Sequence, residues 1–393
     1  MDSFDVAVIG AGAAGMMCAI EAGKRGRRVL VIDHAKAAGE KIRISGGGRC
    51  NFTNIHTAPD RFVSANPGFC ISALRRYRPA DIIALVGAAG IAWREKTLGQ
   101  LFCDDSAQQV VDLLLRLMRQ TGASLRLQTV VDRVQPLAGG GFSLMAGGTE
   151  ITCRSLVVAT GGKSIPKMGA TGFGYEIAQR FGLGLIETRP GLVPLTFEVG
   201  LLERTKPLAG VATPVRAAAG KARFEEALLF THRGLSGPAI LQVSSYWREG
   251  EALTIDLAPD TDVFADLKAA RAAQGRQSVA AALARHLPRR LAQWAAEEQG
   301  AGGNLADLSD ARLRTLAEAV NRWTVKPVGS EGYRTAEVTL GGVDTRDLDQ
   351  RTLAAKAVPG LHFIGEVVDV TGWLGGYNFQ WAWASGWCAG QAV

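Results

Sequence analysis

The glycine pattern between two short hydrophobic runs near the start of the chain constrains the fold more than any other feature. Gly10-Ala-Gly12-Ala-Ala-Gly15 follows the hydrophobic run at 4–9 and opens a stretch at 13–25 that predicts a helix. A second hydrophobic run at 28–32 predicts the next strand, so strand, helix and strand fit within about 30 residues. Such a unit requires parallel strands and predicts an α/β protein with a Rossmann-like parallel sheet.

The same unit predicts a dinucleotide ligand. Gly10 permits the tight turn, Gly12 lets the backbone approach a pyrophosphate, and Gly15 lets the helix pack closely on the strand. The phosphates are expected at the helix N-terminus, where free N–H groups favour anions. Asp33 ends the second strand and can accept hydrogen bonds from ribose hydroxyls, which disfavours a 2′-phosphate. The predicted ligand is therefore FAD or NAD rather than NADP.

Two further glycine-rich strings are predicted to lie against this ligand. The extended segment Ser-Gly-Gly-Gly-Arg-Cys-Asn at 45–51 offers backbone N–H donors, and Arg49, with Lys41 and Arg43, could neutralise a diphosphate. A flexible surface loop is the alternative for this segment. A buried strand at 155–159 ends in Thr160-Gly161-Gly162, for which an ordinary turn between strand and helix is the alternative.

A fourth string lies near the end of the chain. The run Leu361–Ile364 predicts a strand that ends in Gly365-Glu366, and the string 369–378 leads into a helical stretch at 379–387. A second helix N-terminus in the same cleft would stabilise negative charge that develops on a bound, reduced flavin.

Composition narrows the setting. The chain has 44 basic and 37 acidic residues, a net charge of +7, and no run of like charges typical of a nucleic-acid-binding arm. Its six cysteines have neither a C-x-x-C motif nor metal-type spacing, so no metal site is expected and a reducing, cytoplasmic location is predicted. No uninterrupted apolar stretch of about 18 residues predicts a membrane span.

The remaining patterns predict three domains. Residues 1–190 and 344–393 form the dinucleotide-binding domain, 191–258 and 324–343 an inserted β-rich domain, and 259–323 a helical subdomain. Within them we expect a helix at 106–121 capped by Ser106, antiparallel strands over 123–153, two helices within 262–298, and a helix at 310–322 capped by Ser309.

Three strings together resemble the BaiN/YhiN-type bacterial flavoproteins, which belong to the two-dinucleotide-binding-domain superfamily. They are the strings at 45–51, at 231–241 (Thr-His-Arg-Gly-Leu-Ser-Gly-Pro-Ala-Ile-Leu) and at 365–382, and the resemblance spans essentially the whole chain. It implies a non-covalently bound FAD, an inserted β-barrel-like domain and a small helical domain. Phe173 departs from the family pattern, where an acidic residue is expected, and so does Leu340, where alanine is usual.

The resemblance also implies which residues bind FAD. Gly10, Gly12, Ala14, Gly15 and Asp33 would hold the ADP half, and the Val131 backbone would meet adenine. Arg49, Asn51, Thr160, Gly161 and Gly162 would lie along the cofactor, Glu366 and Asp369 at the ribityl chain, and Gly376, Tyr377 and Asn378 at the flavin ring. Neighbouring residues complete the predicted set: Ala13, His34, Lys41, Gly46, Gly47, Cys50, Ala159, Gly365 and Gly375.

The residues that would bind the substrate are marked by weaker sequence patterns than those that would bind the cofactor. His232 or Arg233 could meet an anionic or carbonyl substrate, and His232 could donate a proton, although a capped junction between loop and helix with Ser236 as cap is the alternative. Thr339 before Gly341-Gly342 could bring another loop to the flavin ring.

Three functions remain open. The main hypothesis is an FAD-dependent oxidoreductase that reduces an activated C=C bond of a small molecule by hydride transfer through flavin N5, with NAD(P)H as a transient donor because only one glycine fingerprint is present. The alternatives are an oxidase of an amine-type substrate that uses O₂ and, suggested by the basic charge, an RNA-associated flavoprotein. Nucleic acid is not expected as the main partner, and the oligomeric state stays open.

Overall fold

The computed structural model describes residues 2–393 and divides them into two units. The first unit contains the residues up to Arg189 together with Val338–Val393, and the second contains Pro190–Glu337. The second unit holds both an antiparallel sheet and a group of helices. The separate helical subdomain predicted at 259–323 therefore stays a prediction.

The helices, in chain order, are α1 (Ala13–Lys24), α2 (Glu40–Gly48), α3 (Ile71–Arg76), α4 (Pro79–Ala88), α5 (Gln108–Gln120), α6 (Phe173–Arg180), α7 (Val199–Thr205), α8 (Pro238–Ser244), α9 (Val263–Gln274), α10 (Val279–Leu283), α11 (Arg289–Glu298), α12 (Asp310–Asn321) and α13 (Tyr377–Gly390). Short 3₁₀ turns connect several of them.

The strands are β1 (Asp2–Ile9), β2 (Val29–Ile32), β3 (Asn51–Asn54), β4 (Phe62–Val63), β5 (Trp93–Glu95), β6 (Gln100–Cys103), β7 (Ser124–Arg126), β8 (Val131–Pro136), β9 (Phe142–Ala146), β10 (Thr149–Val158), β11 (Leu185–Gly191), β12 (Leu195–Thr196), β13 (Ala212–Ala219), β14 (Ala222–Phe230), β15 (Gly234–Ser236), β16 (Leu253–Asp256), β17 (Trp323–Val325), β18 (Gly329–Ser330), β19 (Val338–Val343), β20 (Leu361–Phe363) and β21 (Thr371–Gly372).

A seven-stranded sheet with the order β7-β2-β1-β10-β9-β8, in which β20 also pairs with β10, organises the first unit. Strands β7, β2, β1, β10 and β20 are parallel, and all but the edge strand β7 carry residues buried on both faces, as expected when helices cover a parallel sheet. The predicted α/β class and the Rossmann-like sheet are confirmed. The βαβ prediction at the start of the chain is also confirmed, with α1 between β1 and β2.

One strand prediction in this region was wrong. Residues 124–126 do not join the antiparallel strands, because the crossover through α5 returns β7 parallel to β2, with Leu30 opposite Ser124. The buried strand predicted at 155–159 is the end of β10, which begins earlier, at Thr149, runs unbroken to Val158 and pairs with β9 at one end and β20 at the other. Only β8, β9 and the start of β10 are antiparallel.

Some helix boundaries differ from the predicted ones, and the capping hydrogen bonds explain the differences. Ser309 caps α12 as predicted, because its side chain accepts from the Arg312 N–H. Ser106 does not cap α5: Ala107 is the N-cap, and the Ser106 hydroxyl bonds the Gln108 N–H at 3.1 Å. Residues 262–298 form three helices rather than two, since a new helix begins after Ser278, whose side chain accepts from the Ala281 N–H.

The second unit is built on a seven-stranded antiparallel sheet with the order β17-β16-β13-β14-β15-β12-β18. Strands β17 and β18 are its end strands, so barrel-like closure stays a prediction. A cavity of about 710 Å³ lies beside α7, α11 and β17 and is lined by Trp294, Trp323 and charged residues such as Glu198 and Lys326. None of the described helices has the length and apolar composition needed to cross a membrane.

Candidate functional site

The three glycines of the turn between β1 and α1 differ in what a side chain at each position would contact. Gly10 has a φ of +112°, and a side chain there would overlap the Ala159 carbonyl oxygen. A side chain on Gly15 would overlap the Gly10 carbonyl oxygen. Gly12 is different, because a Cβ on it would have no atom within 4 Å, and no side chain caps α1 there. The α1 N-terminus therefore offers free N–H groups next to open space, which suits a diphosphate.

Asp33 lies at the mouth of this turn. Its Oδ2 accepts from the Ala11 N–H at 2.6 Å and its Oδ1 from the Ala35 N–H at 2.8 Å, so two backbone groups orient the carboxylate. The carbonyl of Asp33 accepts from the Thr129 N–H at 3.0 Å, two residues before Val131. The predicted ribose-binding and adenine-binding positions are thus brought together. His34 is half-exposed beside them, with Nδ1 3.6 Å from Asp33 Oδ1.

Helix α13 supplies a second N-terminus that points the same way. A side chain on Gly386 would overlap the Ala14 carbonyl oxygen, and one on Gly390 would lie 2.7 Å from the Cys18 carbonyl oxygen. Four residues further along α13 the contact has moved four residues along α1, so the two helices run side by side in the same direction. Helix α13 begins nine residues before Gly386, and α1 begins one residue before Ala14. The α13 N-terminus therefore lies about 12 Å beyond that of α1 along their shared direction, at 1.5 Å per residue.

The N-cap of α13 is Gly376, which has a φ of +97° and lies against the Thr53 carbonyl. No side chain caps this helix. The Asn51 side-chain amide nitrogen donates to the Leu101 and Thr53 carbonyls, each at 3.1 Å. In this orientation the Asn51 side-chain oxygen accepts from the Gly376 N–H at 3.1 Å. Two uncapped helix ends, offset by about 12 Å along their shared direction and both favourable to negative charge, fit the diphosphate and the flavin of FAD. The chain thus fits this elongated anionic cofactor.

Residues 45–51 do not form the extended loop that was predicted. Residues 45–48 are the kinked end of α2, where Ser45 leaves helical geometry and Gly46 and Gly47 have φ values of +57° and +66°, and Asn51 begins β3. Cys50 is fully buried with a φ of +48°, and burial raises the pKa of its thiol, so only its backbone can face a ligand. Arg49 is exposed, and its guanidinium has no hydrogen bond or ion pair within residues 2–393.

Lys41 and Glu366 belong to one polar network. Lys41 Nζ donates to Glu366 Oε2 at 2.8 Å and to Ser164 Oγ at 2.7 Å, and Ser164 Oγ donates to Glu366 Oε1 at 3.0 Å. Glu366 Oε1 also accepts from the Thr339 N–H at 2.9 Å. Lys41 was predicted to add positive charge at the diphosphate. Its ammonium group pairs with Glu366, and the pair joins three distant segments of the chain, while contact of Lys41 with a diphosphate stays a prediction.

Thr339 anchors the glycine string after β10. Its buried hydroxyl accepts from the Lys163 N–H at 2.8 Å and the Ser164 N–H at 3.1 Å, and a side chain on Gly162 would overlap it. Gly161 has a φ of +72°, and the buried Thr160 hydroxyl has no hydrogen-bond partner among the described residues. These contacts hold the β10 loop close to Glu366.

Three residues predicted at the ribityl chain and flavin ring have protein partners. Asp369 Oδ2 accepts from the Ala65 N–H at 2.7 Å, and burial raises the pKa of this carboxyl. The Asn378 amide bonds both the N–H and the carbonyl of Gly372, at 2.8 and 2.9 Å. Tyr377 packs edge-on against Phe62. These side chains shape the loop before α13, and their direct contact with the flavin stays a prediction.

Sequence reasoning missed the residues that support this loop. Asn54 is buried, and its Nδ2 donates to the Gly375 carbonyl at 2.9 Å and to the Leu98 carbonyl at 3.0 Å. Gln100 lies against Gly375, and Thr53 Oγ1 donates to Gln380 Oε1 at 2.6 Å. No local pattern marks these residues, because their partners lie about 300 positions away in the chain.

His232 and Arg233 lie in the second unit, on the loop between β14 and β15. Both are exposed, and Arg233 Nε lies 4.0 Å from Glu331 Oε1. Ser236 was predicted to cap the following helix, but it ends β15, and Gly237, with a φ of +89°, is the N-cap of α8. Pro238 occupies the first turn as expected.

Known proteins similar to this chain cover its whole length. It is 53% identical over 397 residues, which is 100% of this chain, to a protein from Escherichia coli named ribosomal RNA dihydrouridine synthase, of which 98% is covered. A protein of the same name from Haemophilus influenzae is 45% identical, with 98% of this chain and 97% of that protein covered.

More distant relatives agree on the fold. A 3-dehydro-bile acid delta(4,6)-reductase from Clostridium scindens is 27% identical over 99% of this chain and 98% of that protein. The open conformation of a flavocytochrome c3 fumarate reductase matches with a TM-score of 0.50 and 18% identity over 99% of this chain and 78% of that chain. The predicted resemblance is confirmed, and residues 4–392 match the model described as the HI0933-like protein Rossmann domain, so the chain belongs to this family of FAD-dependent oxidoreductases.

Proposed function

We propose that this chain reduces the double bond between C5 and C6 of uracil in ribosomal RNA and so forms dihydrouridine. The observation that carries the proposal is the 53% identity, over the whole chain, to a protein with the name ribosomal RNA dihydrouridine synthase. The uracil double bond is conjugated to a carbonyl group, so the reaction is the reduction of an activated C=C bond. The proposal thus keeps the predicted reaction type but moves it to the RNA-associated alternative.

The chain's own groups supply binding, charge and position. Bound FAD would supply a hydride to the uracil ring, and NAD(P)H would supply the electrons by a transient visit. The free N–H groups at Gly12 would hold the diphosphate, and the α13 N-terminus would stabilise negative charge at the flavin. The reduction also requires a proton, and the donor predicted from the sequence is the exposed His232.

A small-molecule substrate is the second candidate, and it rests on the bile acid reductase relative, which is 27% identical. Two observations favour RNA over that candidate. The identity to the dihydrouridine synthases is higher, at 53% and 45%, and the net charge of +7 favours a polyanion.

The test is product formation on unmodified RNA. Purified protein loaded with FAD is incubated with ribosomal RNA transcribed in vitro and with NADPH or NADH, and nucleosides are then quantified by mass spectrometry. We expect dihydrouridine, and none from the Gly12→Asp variant, because a carboxylate at the α1 N-terminus repels the diphosphate. A matched control, Gly87→Asp, changes an exposed glycine on α4 and retains activity.

Two outcomes would contradict the proposal. If the RNA yields no dihydrouridine while a 3-oxo-steroid with conjugated double bonds is reduced, the chain is a small-molecule reductase. If anaerobic flavin bleaches with an amine but with neither NADPH nor NADH, the chain is an oxidase.

A further inference from the structure

An exposed apolar projection lies at the end of the first unit where the flavin is expected. The loop between β5 and β6 carries Leu98, which is 60% exposed and has a φ of +53°. Ile55, 43% exposed, lies beside it, because its N–H donates to the Gly99 carbonyl at 2.9 Å. A side chain on Gly99 would overlap both Ile55 and His56. We name residues 55–56 and 96–99 the Leu98 knob.

The knob is tied to the loop that begins α13. The buried Asn54 amide donates to the Leu98 carbonyl at 3.0 Å and to the Gly375 carbonyl at 2.9 Å. Gly375 directly precedes Gly376, the N-cap of α13, where the flavin is expected. One side chain therefore sets the position of Leu98 relative to the place where the flavin and its substrate would meet.

Charges of both signs surround the knob, since the exposed Glu95 lies next to Lys96. Lys96 and His56 are exposed on the knob itself, and Arg94 is half-exposed on β5, where it pairs with Asp104 at 3.1 Å. The Lys96 ammonium lies 5.5 Å from the centre of the Phe102 ring, which leaves it at the surface. An exposed leucine in a strained conformation contributes little to a core, so its place needs another explanation.

RNA provides that explanation. An enzyme that acts on a base within folded RNA must take the base out of its stack, and this unstacking costs free energy. Proteins that open a stack often insert an apolar side chain between bases, while basic residues hold the flanking phosphates. The knob offers an exposed apolar side chain at Leu98 and an exposed ammonium group at Lys96, and His56 adds a ring N–H donor.

We propose that Leu98 is the wedge that fills the RNA stack when the target uridine is turned out toward the flavin. This inference rests on the proposed function, because it assumes that a uridine in folded RNA is the substrate. Leu98 acts as a positioning residue, which replaces the contacts that the displaced base loses. Lys96 and His56 bind phosphates beside the opened step.

The test compares Leu98→Gly with wild type on ribosomal RNA transcribed in vitro. Glycine suits the positive φ of this position, so the loop keeps its shape while the wedge is lost. We expect kcat for dihydrouridine formation to fall by about tenfold or more, with KM within about twofold, since phosphate contacts remain. The loss is smaller on poly(U), which has little stacking to open, and Leu98→Met restores most of the activity on ribosomal RNA.

The control variant is Val199→Ala, which truncates a residue that is 76% exposed in the second unit and retains full activity. Flavin reduction by NADPH or NADH is unchanged in Leu98→Gly. An unchanged kcat on ribosomal RNA, a change confined to KM, or an equal loss on both RNAs would overturn the wedge while leaving the proposed function intact. Wild-type protein that modifies neither RNA would overturn the proposed function and the wedge together.

Discussion

Glycines of a single motif have different physical roles in this protein. Gly15 is required by packing, because a side chain there would overlap the Gly10 carbonyl oxygen. Gly12 faces open space with a φ of −84°, which any residue adopts. Packing within the protein therefore does not require glycine at this position, whereas the predicted diphosphate would. Of the 48 glycines in the chain, others such as Gly386 serve helix packing, which the cofactor strings did not predict.

This difference predicts opposite results for two alanine variants. Gly15→Ala should lower the free energy of unfolding of the apoprotein by about 1–3 kcal/mol, because the backbone must shift to admit the methyl group. Gly12→Ala should leave that stability near wild type but weaken FAD binding, since the methyl group occupies the approach of the diphosphate. Urea unfolding and flavin fluorescence titration measure the two effects. Equal loss of stability in both variants would contradict this assignment.

A buried histidine predicts how stability depends on pH. His362 lies in β20, Nδ1 donates to the Thr352 carbonyl at 3.0 Å, and burial lowers the pKa of its imidazole. The folded state therefore binds fewer protons than the unfolded state, and stability is lost as pH falls below about 6.5, the ordinary histidine value.

The measurement is urea unfolding between about pH 5 and about pH 7, across the ordinary histidine pKa. His362→Asn keeps a side-chain N–H donor for the Thr352 carbonyl but does not titrate, so its stability should change less over this range. A variant with the same pH dependence as wild type would show that other groups cause it.

At the scale of elements, the parallel packing of α1 and α13 creates the site. The two helices touch through Gly386 and Gly390, and both begin at glycines without a side-chain cap. A larger residue at the crossing would separate the helices and change the distance between their N-termini. The diphosphate and the flavin depend on that distance.

Gly386→Ala is therefore expected to reduce both stability and FAD affinity, because its methyl group would overlap the Ala14 carbonyl oxygen. The matched control is Gly87→Ala on α4, where a Cβ meets no atom within 4 Å. That control should gain about 0.5–1 kcal/mol from helix propensity and leave FAD affinity unchanged. Thermal unfolding of the apoprotein and flavin titration compare the two variants, and normal FAD affinity in Gly386→Ala would contradict the packing argument.

At the scale of the whole molecule, the net charge of +7 predicts salt-sensitive RNA binding. If the chain contacts several phosphates, its affinity for ribosomal RNA should fall by about tenfold or more between about 50 and about 200 mM salt. Filter binding or fluorescence anisotropy at several salt concentrations measures the slope. An affinity that does not change with salt would argue against phosphate contacts and favour an uncharged small-molecule substrate.

The sequence by itself determined the opening βαβ unit, the start of α1 and the place of Asp33, because each depends on residues close together in the chain. Glycine spacing, hydrophobic alternation and a serine cap such as Ser309 act within one or two turns of backbone. The dinucleotide site could be predicted for the same reason, since the turn that binds phosphate is local.

Only the tertiary structure decided how the loop before α13 and the network around Glu366 are assembled. The Lys41–Glu366 pair, the Asn54 bridge to Gly375 and the contact of Gly386 with Ala14 join residues more than 300 positions apart. The direction of β7 likewise depended on the crossover through α5 and not on its own residues. Contacts of this kind form when distant segments pack, and a sequence pattern that spans a few residues holds no record of them.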